Sequence, residues 1–355
     1  MTEKRFSPET VPANLVTISD LDDSALFLLI RESRAAFGWL TERSLAPFKS
    51  PFAELLRGAI VHLAFFEPST RTRVSFETAS LLLGAQVINF GGDSTSVVKG
   101  ESLEDTAATL GAMNPSVFIA RHPHTGAAAK LAAYLECPVV NAGDGRGHHP
   151  TQALLDAATV NLYKPIWKES RHVAVNPGRF TRIFNTHRGA KTIGRQAGKQ
   201  QAFSPLKILI CGDVKNSRVA RSNAEIWTRL GHDVTLAGPP QLLPCGSPYP
   251  GVKLSEVFDE HLESADVVMM LRIQKERIAG GAAGLRDFRS AYGLTRGRLT
   301  RLKKDALILH PGPCNRGIEI DCSVFEDGRC VIRGQVRMGV AVRMAVLAML
   351  LGKLE

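Results

Sequence analysis

The sequence predicts an α/β protein built from two doubly wound parallel-sheet domains. Short apolar runs of strand type alternate with helical stretches at the spacing of βαβ units in two separate regions, about 60–162 and 206–309. The polar, chemistry-bearing residues cluster where those runs end, and open α/β sheets bind ligands at the carboxyl ends of their strands. A length of 355 residues allows one large or two ordinary domains.

The first region opens with a helix from Asp22 to Phe37. A strand (60–66), a helix (72–83), a strand (85–90) and a helix (101–112) follow. Next come a strand (116–120), a helix (125–135), a strand (138–140) and a helix leading out from Pro150 to Leu162. The second region opens with the buried-type strand Leu206-Lys207-Ile208-Leu209-Ile210, which ends in Gly212-Asp213. A helix from Ser217 to Leu230 follows, then strands at 233–237, 265–271 and 306–309. The last apolar segment, Gly339 to Leu351, reads as a helix. Between the two regions, 163–204 is rich in Gly, Gln, Asn and basic residues and shows no sustained period. It reads as a surface excursion or a partly disordered segment.

Composition narrows the class. Hydrophobic residues make up 44% and charged residues 22%, as in ordinary globular chains. No apolar run reaches membrane-spanning length, and the polar Met1-Thr2-Glu3-Lys4-Arg5 leads to no apolar signal segment. The six cysteines are scattered without a C-x-x-C pair and read as reduced cytosolic thiols, so the expectation is a cytoplasmic protein without a metal site. The net charge of +10 invites a nucleic-acid reading. However, Asn161 to Pro205 holds nine Lys/Arg and one acid, a net +8, leaving +2 elsewhere. The basicity belongs to one segment and not to the fold, which argues against nucleic acid as the partner.

The densest chemistry lies in Phe65-Phe66-Glu67-Pro68-Ser69-Thr70-Arg71-Thr72-Arg73-Val74-Ser75-Phe76-Glu77. A strand ends here and a helix begins. A helix N-terminus offers unpaired N–H groups and a positive dipole end, and hydroxyls and arginines interleaved at that point suit a phosphate. The plain alternative is a Ser/Thr-capped helix with solvated arginines. Arg121 ends the next strand but one and can donate to two oxygens together. Gly143 to Gly147 permit a tight turn before His149 and Gln152, which lie three apart at a helix start and so share a face. Gly212 to Ser222 has no G-x-G-x-x-G, so a dinucleotide site is poorly supported.

The run from Ser69 to Glu77 resembles the carbamoyl-phosphate signature of the transcarbamylases, S-T-R-T-R-x-S-F-E. The resemblance extends over nearly the whole chain outside 163–204, which it implies is an insertion, since the family joins helix to strand there with a far shorter link. Asp93 to Ser102 is similar to a mobile loop of the family's aspartate branch that enters a neighbouring subunit's site, and Lys99 there is absent from the ornithine branch. His149-Pro150-Thr151-Gln152 matches H-P-T-Q, Arg272 to Arg277 matches R-x-Q-K-E-R, and His310-Pro311-Gly312-Pro313 replaces the ornithine branch's H-C-L-P.

What the resemblance implies is specific. Carbamoyl phosphate would be held by Ser69, Thr70, Arg71, Thr72, Ser96, Arg121, His149, Gln152, Gly312 and Pro313. Aspartate would be held by Lys99, Arg218, Arg272 and Gln274, with Arg221 competing for the role of Arg218. Arg71, Thr72, Arg121, His149 and Lys99 would carry catalysis. The carbamoyl-phosphate domain would comprise 1–150 plus 336–355, because the last helix crosses back. The aspartate domain would comprise 151–335 and carry the insertion. Transfer of the carbamoyl group to the α-amine of L-aspartate, an early step of pyrimidine synthesis, would need no cofactor and no metal. Shared sites imply a homotrimer, and a regulatory or dihydroorotase-like partner fits the family. Two other readings stand beside this one: a transcarbamylase acting on ornithine or a modified amino acid, and a non-catalytic binding or assembly protein on the same fold.

Overall fold

The computed structural model describes residues 11–42, 50–91, 101–167, 178–187, 204–247, 249–273 and 281–354. The chain divides into two compact units. One comprises 1–158, 168–202 and 336–355, and the other comprises 159–167 and 203–335.

The first unit holds a four-stranded all-parallel sheet of order β2-β1-β3-β4. Its strands are β1 (Ile60–Phe65), β2 (Gln86–Gly91), β3 (Val117–His122) and β4 (Val139–Asp144), and its helices α1 (Asp23–Glu42), α2 (Thr70–Leu82), α3 (Leu103–Gly111), α4 (Ala127–Tyr134) and α5 (Pro150–Val160). Both β3 and β4 are buried along their whole length, so their leading residues (Val117 to Ala120, Val139 and Val140) are consecutively apolar and do not alternate. Ala64, Phe118, Ala120, Leu131 and Val139 pack together in its core.

The second unit holds a five-stranded all-parallel sheet of order β7-β6-β5-β8-β9. Its strands are β5 (Lys207–Cys211), β6 (Asp233–Ala237), β7 (Lys253–Ser255), β8 (Val267–Met270) and β9 (Leu307–Leu309). Among its helices are α7 (Arg218–Arg229), α8 (Gly281–Tyr292) and α9 (Arg296–Leu299). The three-residue β7 was not expected; it is too short to carry a period. The last helix, α10 (Ile332–Leu350), starts seven residues earlier than its apolar stretch suggests, and from Val336 on it belongs to the first unit.

The insertion departs from expectation. It contains a helix, α6 (Arg179–His187), with Phe180 and Phe184 buried. Phe180 packs on Phe52 at 4.8 Å, ring to ring, and Gly38 of α1 leaves room for Phe184. Buried Glu32 of α1 accepts from Gly178 N, Thr181 N and Thr181 Oγ1 at 3.2, 2.9 and 2.8 Å. A carboxylate thus caps this helix from outside its own sequence. This helix therefore belongs to the first unit, whereas the sequence placed the insertion with the second. Lys164 is also no loose surface charge: it is buried, and its Nζ bonds Asp305 at 2.6 Å in the second unit.

Candidate active site

In each sheet the chain reverses its direction of growth at one point. In the first unit this lies between β1 and β3, and in the second between β5 and β8. Ligands in open α/β sheets bind outside the carboxyl ends of strands at such switch points. Ser69 to Thr72 follow β1, and Arg121 lies at the end of β3. Arg218 follows β5, and Arg272 follows β8.

Ser69 occupies the N-cap position of α2, yet its hydroxyl makes no capping bond. Among the described residues the hydroxyls of Ser69, Thr70 and Thr72 have no hydrogen-bond partner. The capped-helix alternative used these same hydroxyls for the helix itself, and here they are not so used. Thr72 is buried, whereas Thr70 and Arg71 are exposed. The side chain of Arg121 is 11% exposed and fixed on both arms: Nη2 bonds Glu67 at 2.7 Å and Nη1 bonds the Ala142 carbonyl at 3.1 Å. Glu67 therefore aims the arginine, a role the sequence reading missed although Glu67 lies inside the motif.

The turn carrying His149 is built around Asp144, which is 3% exposed. Its carboxylate accepts from Gly126 N, Asn141 Nδ2 and His148 N at 2.6, 3.0 and 2.7 Å. Gly145 has a φ of +46°, and a Cβ there would lie 2.6 Å from Thr125 N, so the turn requires glycine. His149 (3% exposed) then stands immediately before α5, and Gln152 (8% exposed) lies in its first turn. The Gln152 amide Nε2 donates to Asp156 Oδ1 at 3.0 Å.

In the second unit Arg218 opens α7, half-buried, behind the cap made by Ser217 Oγ on Ala220 N. Arg221 is exposed one turn on. Arg272 is exposed between two anchored neighbours. Leu271 N bonds Cys211 O at 2.7 Å, and Ile273 O accepts from Asn315 Nδ2 at 2.9 Å. The loop carrying Gly312 and Pro313 is held from beneath by a buried network. Gly312 N donates to His310 Nδ1 at 2.8 Å, which leaves His310 Nε2 to donate to Glu319 at 3.3 Å. Glu319 also accepts from Asn315 N, and Gln335 Oε1 accepts from His310 N at 3.0 Å. Asn315 thus ties this loop to the Arg272 segment. Ser96, Lys99 and Gln274 lie outside the described residues.

Two switch-point sites, one with hydroxyls and guanidinium groups at a helix start and the other with two arginines, offer hydrogen-bond donors suited to anions. Family models agree. The carbamoyl-phosphate-binding domain of aspartate/ornithine carbamoyltransferases matches residues 14–161, and the Asp/Orn-binding domain matches 204–350. The chain belongs to the aspartate/ornithine carbamoyltransferase family. The two models leave 162–203 unmatched, which is the insertion.

Relatives sharpen the comparison. The aspartate carbamoyltransferase catalytic subunit of Rhodospirillum rubrum is 48% identical over 301 residues, covering 84% of this chain and 83% of that one. The corresponding subunit of Gluconobacter oxydans is 45% identical over 342 residues, covering 95% of each chain. Among solved structures, aspartate transcarbamoylase of Trypanosoma cruzi bound to carbamoyl aspartate and phosphate is 26% identical, with a TM-score of 0.75 over 96% of each chain. The M. jannaschii catalytic subunit is 29% identical, with a TM-score of 0.72 over 96% of this chain and 98% of that one.

Proposed function

We infer that this chain is an aspartate carbamoyltransferase, transferring the carbamoyl group of carbamoyl phosphate to the α-amine of L-aspartate in pyrimidine synthesis. The observation that carries the acceptor choice is the pair Arg218 and Arg272 at the second switch point, two guanidinium groups for the two carboxylates of aspartate. The relatives' shared name supports it, as does the R-x-Q-K-E-R run that begins at Arg272.

In this reading Ser69, Thr70, Arg71, Thr72 and Ser96 bind the phosphate. The neutral α-amine attacks the carbamoyl carbon, and charge grows on the carbonyl oxygen. Thr72, Arg121 and His149 meet that charge as an oxyanion site, where each lost donor typically costs about 10²–10³ in rate. Glu67 holds Arg121 ready, so little reorganisation is left to the transition state. Gln152 reads the carbamoyl amine, and the Gly312 and Pro313 carbonyls accept from it. Arg71, Arg121 and Lys99 stabilise the departing phosphate, which is itself able to take the amine proton. With Lys99 serving the site of a neighbouring copy, as the resemblance to the aspartate branch implies, the working form is a homotrimer, and the same reading places it in the cytoplasm. A regulatory or dihydroorotase-like partner fits the same reading, with carbamoyl-phosphate binding falling to the unit of 1–158, 168–202 and 336–355 and aspartate binding to that of 159–167 and 203–335.

The test is inhibitor choice. N-(phosphonacetyl)-L-aspartate should bind far more tightly than the matching phosphonacetyl-ornithine, with Arg272→Ala abolishing the difference. Preference for the ornithine compound would move the chain to the other branch of the family.

A further inference from the structure

The polarity of one amide in the first unit is set by its neighbours. Asp156, fully buried one turn beyond Gln152 on α5, takes a hydrogen bond from Gln152 Nε2 at 3.0 Å. A carboxylate can only accept, so the amide's NH₂ must face Asp156 and its oxygen must face away. Among the described residues nothing donates to Gln152 Oε1. Behind Asp156 stands Arg343 of α10, 3% exposed. Its Nη1 bonds the Gly339 carbonyl at 3.0 Å, and its guanidinium lies 4.8 Å from the ring centre of Phe76 on α2. Gly339 makes that position available: a Cβ there would lie 2.6 Å from Arg343 Nη1. Burial pushes the Arg343 pKa down to about 9, and the Asp156 charge opposes the shift. Arg343 thus places a buried positive charge whose field reaches Asp156.

We propose that Asp156, backed by Arg343, is a positioning residue that turns the Gln152 carbonyl oxygen toward the ligand and so makes the site select a carbamoyl NH₂ over the isosteric acetyl CH₃. The inference rests on the reading of Gln152 as a carbamoyl contact. Its logic is a chain of obligatory roles. A guanidinium only donates, a carboxylate only accepts, and an amide between carboxylate and ligand must present its acceptor. A carbamoyl NH₂ satisfies that acceptor, whereas a methyl leaves it unpaired, and sites built to hydrogen-bond a group discriminate against analogues lacking it. In Asp156→Asn the positive field of Arg343 draws the new amide's oxygen toward itself and turns its NH₂ to Gln152. The Gln152 amide then inverts and presents NH₂ to the ligand, so the preference collapses.

The experiment uses two stable probes that differ only at that group, phosphonoacetamide and acetonylphosphonate, titrated by calorimetry with the full chain, without aspartate. The wild type should prefer the amide by about tenfold or more. Asp156→Asn should bring the ratio near one while inorganic phosphate binding stays within about twofold, an outcome that a merely structural role would not give. If the single variant does not fold, the Asp156→Asn/Arg343→Met pair removes both charges together. Its amide is free to take either orientation, and the ratio should fall by half or more. Gln152→Leu should also erase the preference. A ratio kept in Gln152→Leu overturns the reading of Gln152 itself. A ratio lost there but kept in a folded Asp156 variant overturns the role of Asp156 alone. Parallel loss of probe and phosphate binding overturns it too.

Discussion

Arg272→Ala is the perturbation whose consequence follows most directly from the structure. Arg272 is exposed and has no ion-pair partner among the described residues, while its backbone is held on both sides by Leu271 N to Cys211 O and by Asn315 Nδ2 to Ile273 O. Truncating the side chain therefore breaks nothing in the fold, and the unfolding free energy should stay within about 0.5 kcal/mol of wild type. A guanidinium–carboxylate bond of this kind is worth about 1.5–3 kcal/mol. At about 1.4 kcal/mol per tenfold, kcat/KM for aspartate should fall about 10- to 150-fold. Arg272→Lys keeps the charge, loses the two-armed geometry and should fall between. The assay is steady-state kinetics in aspartate, with carbamoyl-phosphate affinity measured separately by equilibrium binding. Equal losses for both substrates, or an unchanged aspartate constant in a folded variant, would refute the assignment of Arg272 to the acceptor.

Three further outcomes are expected. His232 is 6% exposed, accepts from Leu206 N at 3.0 Å, and burial pushes its pKa down to about 4. Its folded pKa lies below the unfolded value near 6.5, so only the unfolded chain gains a proton between them. Stability should be complete above about pH 6.5 and decline by about 3 kcal/mol as pH falls to 4, and His232→Gln should flatten that window in denaturant titrations. Glu32→Ala should lower stability by about 3 kcal/mol and hasten proteolytic cleavage near Gly178, because it strips three bonds from the start of α6, while turnover at saturating substrate persists. Mixing an inactive Lys99→Ala chain with an inactive His149→Ala chain should restore part of the activity if sites are shared between copies; hybrids that stay inactive would count against a trimer.

Much of this was legible in the sequence. The alternation of apolar runs with helical stretches located β1 to β6, β8 and β9 to within a few residues; the signal is plainest where a strand is buried on both faces, as in β8. The motifs fell at strand ends, and the switch points explain why. What escaped was set by tertiary contact. Helix α6 shows few apolar residues, and its start is capped by Glu32, nearly 150 positions away. The three residues of β7 carry no period. In the site, Ser69, Arg121, His149 and Gln152 were visible as motif members, but the residues that aim them were not. Glu67 reads as part of a turn, Asp156 as an ordinary helical acid, and Arg343 as one charge in an apolar helix. Only the i, i+4 spacing of Gln152 and Asp156 hinted at a pair. The Glu319–His310 contact spans nine residues of loop and has no periodic signature.

Carbamoylation of aspartate by this chain is open to direct observation. The direct measurement is product analysis after incubating the purified chain with isotopically labelled carbamoyl phosphate and either L-aspartate or L-ornithine. Labelled N-carbamoyl-L-aspartate and equimolar phosphate should form, with little product from ornithine. Citrulline as the main product, or phosphate released without a carbamoylated amino acid, would contradict it.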